Sequence, residues 1–231
     1  MIPFFTAKCN HFEAVVFDLD GTLIDSTDVY VKMLNTALNR NGFETVSRKK
    51  VLSALRDGGF DWIRVLPDMD QARRDETINK VMAVIPEIAS QMFRQEVELI
   101  QGADDILKDI FSSGIRLGLV TSTRMKFMDD KLYPLRRAGI DHVFDAVITT
   151  DDAPRKKPAA DPLIACAKRL FLDPDQMVYV GDTMVDIRAG KAAGTMTIGV
   201  LTGVDDYESL KAENPDAIIG GVADLKDILA F

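Results

Sequence analysis

Short apolar runs alternate with amphipathic stretches along most of this chain. Residues 13–18 (Glu-Ala-Val-Val-Phe-Asp) are apolar and β-branched, which predicts a buried strand. The run ends in Asp18-Leu19-Asp20-Gly21-Thr22, the composition of a turn. From 26 to 40, Val29, Met33, Leu34, Ala37 and Leu38 recur at helical spacing, and Gly42 stops the helix. Ser47 is a suitable N-cap for a helix over 48–56, which Asp57-Gly58-Gly59 breaks. A long helical pattern covers 70–100. Pro86 is expected to split or kink it, because proline lacks the amide donor and crowds the preceding turn. Residues 25–100 therefore read as wholly helical.

After Gly102 the texture changes. Strands are expected at 116–121, 146–149, 177–181, 196–200 and 217–219, each with the short apolar signature of a buried strand. Helices are expected at 106–111, at 125–138 with a disturbance at Pro134, and at 162–172 with Asp161 as N-cap. Further helices are expected at 184–193 closed by Gly194, at 206–212 and at 223–229. Apolar strands alternating with helices imply an α/β fold, a doubly wound, mostly parallel, Rossmann-like sheet covered on both faces. The helical block interrupts that alternation after the first strand and reads as an insertion. The expected division is an α/β core of residues 1–24 and 101–231 with an all-helical cap of residues 25–100.

Ligands of open parallel sheets bind beyond the carboxyl ends of the strands. Polar residues collect at four such ends: Asp18 and Asp20, then Thr121 and Ser122, then Lys156-Lys157-Pro158, then Asp182 and Asp186. Converging carboxylates repel one another unless positive charge sits among them. A lysine and a divalent cation would supply it, and hard oxygen donors without nearby His or Cys favour Mg2+ over zinc. Any one of these signals is weak, since Asp-x-Asp-Gly is often a solvated turn and Lys-Lys-Pro often surface charge. Their weight comes from falling in order at successive strand ends.

Composition narrows the partners. Of 231 residues 47 % are apolar, enough for a full core, and the formal net charge of -8 disfavours nucleic acid and anionic lipid. Cys9 and Cys166 fit no metal-ligand spacing and read as free thiols in a reducing cytoplasm, while His11 and His142 sit in no motif and read as packing or surface residues. The apolar stretch within residues 1–10 is too short for a signal peptide, and no run approaches the roughly 18 apolar residues of a membrane span. A cytoplasmic protein without membrane partners is expected, as monomer or homodimer.

The segments Asp18-Leu19-Asp20-Gly21-Thr22-Leu23, Thr121, Lys157-Pro158 and Gly181-Asp182-Thr183-Met184-Val185-Asp186 together resemble the haloacid dehalogenase-like hydrolases. The nearest branch is that of phosphoglycolate phosphatase and β-phosphoglucomutase. The run from Asp186 to Gly194, Gly199-Val200 and Asp216-Ala217-Ile218-Ile219 extend the similarity over nearly the whole chain. The resemblance implies that Asp18 is the nucleophile and passes through an aspartyl-phosphate. It implies that Asp20 is the acid and base, partly protonated by negative neighbours, with its main-chain carbonyl on the metal. Asp18 and Asp182 would complete the protein share of a Mg2+ shell, and Asp186 would orient Asp182 or metal-bound water. Thr121 and the Ser122 amide would hold phosphoryl oxygens, while Lys157 would balance the shifting charge.

Two departures stand out: Ser122 where the family often has Asn, and Ala160 where it often has Pro. Asp20 itself excludes the dehalogenase, phosphonatase and P-type ATPase chemistries of the wider superfamily, which lack it. The insert resembles a four-helix lid, with Arg56 in the turn that often reads the substrate. Lys49 and Lys50 read as a solvated helix face. A phosphatase for a small phosphorylated metabolite is the expected function. The alternatives are a phosphomutase of the β-phosphoglucomutase type or a pyrophosphatase or nucleotidase.

Overall fold

The structure, a computed structural model, describes residues 12–55 and 60–231. Eight strands appear among these: β1 (Ala14–Phe17), β2 (Ile24–Asp25), β3 (Glu98–Leu99), β4 (Arg116–Val120), β5 (Ala146–Ile148), β6 (Met177–Gly181), β7 (Met196–Val200) and β8 (Ala217–Ile219). The helices are α1 (Thr27–Arg40), α2 (Arg48–Ala54), α3 (Gln71–Glu96), α4 (Ala103–Ser113), α5 (Met128–Lys131), α6 (Tyr133–Arg137), α7 (Asp161–Leu170), α8 (Met184–Ala193), α9 (Tyr207–Ala212) and α10 (Leu225–Ile228).

Six strands form one parallel sheet in the order β5-β4-β1-β6-β7-β8. The order reverses at β1, so the next strands in sequence lie to either side of it. A crevice opens at that point, beyond the carboxyl ends of β1, β4 and β6. The period-two alternation of β1 sends its side chains to two separate cores. Val15 and Phe17 pack with Ile106, Leu107 and Ile110 of α4 on one face, while Ala14 and Val16 pack with Leu163, Cys166 and Leu170 of α7 on the other. Helices thus cover both faces, as expected. Cys166 is a buried free thiol, and His142 lies edge-on to Phe111. Cys9, His11 and the leader lie outside the described residues.

The helical segment between β2 and β3 has its own apolar cluster. Leu34, Ala37 and Leu38 of α1 meet Val51 and Ala54 of α2, Val65, Leu66, and Val81 of α3. Three α-helices and one 3-10 turn, Trp62–Arg64, are found here among the described residues, where four helices were expected. Ser47 does cap α2, accepting from the Lys50 amide. Lys49 and Lys50 are exposed.

Three local expectations need correction. Pro86 does not split its helix, because α3 runs unbroken for 26 residues. Burial of Val81 in one apolar cluster and of Ile88 and Phe93 in another outweighs the local cost of about 3 kcal/mol for an interior proline. Residues 25–100 are not wholly helical, since β2 and β3 pair antiparallel, Ile24 opposite Leu99 and Asp25 opposite Glu98. That ribbon brings both ends of the helical segment back together, and two residues are too few to show a strand period. Asp161 is the first residue of α7 rather than its cap, and its carboxylate pairs with Arg155 at 2.8 Å.

Candidate active site

Backbone register brings the predicted residues together. The Asp18 amide donates to the Val180 carbonyl at 2.8 Å, so the chain leaving β1 stays beside β6 and Asp18 faces Asp182. The Thr121 amide likewise donates to Ile148 at 2.9 Å, fixing the exit of β4 against β5. Asp186 stands in the first turn of α8, where Thr183 caps the helix and accepts from its amide. One ligand oxygen from each of Asp18, Asp182 and Asp186 lies within 4.8 Å of the others, and all three side chains are buried.

Lys157 sits among them, only 4 % exposed. Its ammonium donates to Asp18 Oδ1 at 2.7 Å, Asp186 Oδ1 at 2.6 Å, the Tyr179 hydroxyl at 3.0 Å and the Val120 carbonyl at 3.2 Å. Burial works against its charge, but Asp18 and Asp186 outweigh burial and hold Lys157 well above the usual lysine range. Asp186 shows the same contest. Burial pushes its carboxyl up, yet Lys157 and the hydrogen bonds from Thr183 and Tyr179 keep it below the usual carboxylate range. Its two oxygens are engaged by Lys157, Tyr179 and Thr183. It therefore bonds to Lys157, Tyr179 and Thr183, where the sequence led us to expect it to orient Asp182 or metal-bound water.

The other two carboxyls move the opposite way. Burial lifts Asp18 from 3.8 to about 7 against the pull of Lys157, and the charge of Asp186 adds to the rise. Burial, then Asp186 and Asp18, push Asp182 well above the usual carboxylate range. Asp182 is held by the Val204 amide, 2.8 Å from Oδ2. Two glycines make room for it. A Cβ on Gly203 would lie 1.8 Å from Asp182 Oδ2, and one on Gly21, which has φ +78, would lie 2.5 Å from the same atom.

Asp20 lies outside the carboxylate cluster, near enough for its charge to add to the rise of Asp18, and its own carboxylate faces hydrogen-bond donors. Ser26 Oγ donates to its Oδ1 at 2.6 Å, Thr123 Oγ1 to its Oδ2 at 3.5 Å, and the Lys131 ammonium also contacts Oδ1. Lys131 is 5 % exposed, and burial lowers its pKa despite the opposing pull of Asp20. Lys131, Tyr179 and Gly203 were missed by sequence reasoning. Tyr179 reads as one more strand residue and Asp129-Asp130-Lys131 as solvated charge. Only Gly203 left a usable trace, as a Gly just past a strand.

Asp18, Asp20, Ser122, Lys157, Asp182 and Asp186 line one cavity of about 310 Å³, roofed by Tyr30 and Leu55 from the helical segment and by Phe60. That volume suits a small ligand. Thr121 is buried beneath it, its hydroxyl accepting from the Thr123 amide at 3.1 Å. Arg56 lies outside the described residues. The donors are all hard oxygens, and two of them belong to buried carboxyls whose burial a cation would relieve, so the cluster fits a divalent metal. With Asp186 engaged by Lys157, Asp18 and Asp182 are the side chains that would hold it. Among the described residues no helix is long and apolar enough to cross a membrane.

Comparison with known proteins agrees with this geometry. The haloacid dehalogenase-like hydrolase family model matches residues 15–200. A phosphoglycolate phosphatase from Salmonella paratyphi A is 30 % identical, covering 97 % of this chain and 95 % of its own length. The pyrophosphatase PpaX of Bacillus pumilus is 31 % identical over 93 % of this chain and 95 % of its own. A solved structure described as a predicted phosphoglycolate phosphatase from Haemophilus somnus superposes with a TM-score of 0.79 at 24 % identity, covering 94 % of this chain and 97 % of that one. The chain belongs to the haloacid dehalogenase-like hydrolase family and is one of its phosphatases.

Proposed function

We propose that this protein is a Mg2+-dependent phosphatase that hydrolyses a small phosphate monoester through an aspartyl-phosphate on Asp18. The observation that carries the reading is the buried Lys157, shared by Asp18 and Asp186 with Asp182 alongside. A lysine in that position offsets charge as it moves between carboxylate and phosphate. Mg2+ held by Asp18, Asp182 and the Asp20 carbonyl would screen the repulsion between the nucleophile and a phosphate dianion.

Lys157 holds Asp18 Oδ1, so Oδ2 is the attacking oxygen. It bonds to phosphorus while the bond to the leaving oxygen breaks, and Asp20 gives that oxygen its proton. Water then attacks the same phosphorus, Asp20 takes the proton, and inorganic phosphate leaves Asp18 free. Thr121 and Ser122 hold the phosphoryl oxygens. Residues 25–100 act as a lid on a core of residues 1–24 and 101–231, and the cavity of about 310 Å³ between them suits a small metabolite in the cytoplasm. Arg56 is proposed to meet an anionic group of the substrate.

A second reading, cleavage of a pyrophosphate anhydride, draws support from the PpaX relative at matching identity. A screen of phosphorylated metabolites and pyrophosphate for phosphate release, with and without Mg2+, tests both. Mg2+-dependent release from a monoester and none with Asp18→Asn is the expected result. Turnover that survives Asp18→Asn at the wild-type rate would overturn the assignment.

A further inference from the structure

Asp20 is gripped from two directions. Ser26, at the entry to α1, and Lys131, at the end of α5, reach the same carboxylate oxygen. Lys131 belongs to the sheet side of the crevice, yet its ammonium is enclosed by the helical segment. It contacts the Tyr30 hydroxyl from α1 and lies 4.3 Å from the Tyr30 ring centroid and 4.2 Å from that of Phe93 on α3. Those two rings meet edge to face at 5.5 Å. The neighbouring residue, Asp130, is tied to α3 as well, accepting from Arg94 at 2.7 Å and Ser90 at 2.9 Å.

We propose that Lys131 is a positioning residue that couples the seating of the helical segment to the orientation of the Asp20 carboxylate. A buried ammonium facing one carboxylate is poorly compensated on its own, and the ring faces of Tyr30 and Phe93 supply the remaining attraction. Both rings belong to the segment that roofs the cavity. When α1 and α3 lift, Lys131 loses both faces and regains water, and Asp20 loses its strongest fixed partner. When they close over a substrate, Lys131 returns and aims Asp20 at the leaving oxygen. Asp20 is thereby aligned only in a closed, substrate-filled site.

This inference rests on Asp20 acting as the acid, and leaving-group dependence tests each part separately. p-Nitrophenyl phosphate needs little protonation of its leaving oxygen, whereas an alkyl phosphate needs a well-aimed acid. Lys131→Met places an apolar side chain against two aromatic rings and is expected to fold, which near-ultraviolet circular dichroism checks. Its kcat/KM for the alkyl ester should fall about 10²-fold, with less than about a threefold change for the aryl ester. Lys131→Arg should restore part of the selective loss. Phe93→Leu, which keeps apolar volume but removes a ring face, should show the same selectivity at smaller size. Asp20→Asn is the reference. If it shows the selectivity and Lys131→Met does not, or if Phe93→Leu matches wild type, the coupling is wrong and the phosphatase reading stands. If Asp20→Asn discriminates no better than wild type, the acid role fails and the inference falls with it.

Discussion

Two lysines are buried in the same crevice, Lys157 at 4 % exposure and Lys131 at 5 %, and each contacts one of the paired aspartates of the first strand end. Their surroundings differ. Lys157 meets two carboxylates, a tyrosine hydroxyl and a main-chain carbonyl, all from the sheet side. Lys131 meets one carboxylate and two aromatic rings, and the rings come from the helical segment. Burial opposes charge at both sites. Asp18 and Asp186 outweigh it and raise Lys157, whereas at Lys131 the pull of Asp20 and of Asp18 does not, and Lys131 is lowered. The balance between burial and the nearby anions therefore decides the sign. The two sites also differ in what encloses them, the sheet side at Lys157 and the helical segment at Lys131.

The largest way to break this contrast is Lys157→Met. It leaves Asp18 and Asp186 facing each other in a buried site, so stability should fall by about 3 kcal/mol in urea denaturation, and turnover by at least about 10³-fold. Lys131→Met should cost far less stability, because its single carboxylate partner keeps Ser26 and Thr123. Equal losses in the two variants would erase the distinction.

The carboxyls sharpen it next. Folding raises Asp18 from 3.8 to about 7, so between those values the folded state keeps a proton that the unfolded state releases. Stability of the metal-free protein should then fall as pH rises through that window. Asp182 shifts in the same direction, and the depressed Asp186 acts only below its ordinary value. On the proposed reading Mg2+ displaces the proton, so its apparent affinity should weaken as pH drops below about 7, the value to which Asp18 is lifted. Thermal melts with and without Mg2+ from pH 5 to 8 check both trends, and a flat profile would contradict them.

Smaller effects probe the helical segment itself. Pro86→Ala should stabilise α3 by about 1–3 kcal/mol with activity on a small ester little changed. Lys49→Ala with Lys50→Ala, both on the exposed face of α2, should alter unfolding free energy by less than about 0.5 kcal/mol.

The same two lysines show how much was legible beforehand. Lys157 stood out because it precedes a proline in the loop after a recognisable strand, in order with Asp18, Thr121 and Asp182. Those signals are local, and the strands at 177–181, 196–200 and 217–219 were legible for the same reason: short apolar runs bounded by turn residues. Lys131 had no such mark. Its burial comes from α1 and α3, which lie far away in sequence, and nothing within Asp129-Asp130-Lys131 reports them. Pro86 failed in the opposite sense, since a strong local signal was overridden by packing along the rest of α3. The β2–β3 ribbon was invisible because two-residue strands carry no period.

The central claim is that Asp18 becomes phosphorylated. A single turnover of Asp20→Asn with a reactive aryl phosphate and Mg2+, quenched in acid, should accumulate the acyl phosphate. Reduction with borohydride and peptide mass spectrometry should then place the modification at Asp18. Full release of the aryl group with no covalent phosphate at Asp18, or a modification mapped to another side chain, would contradict the account.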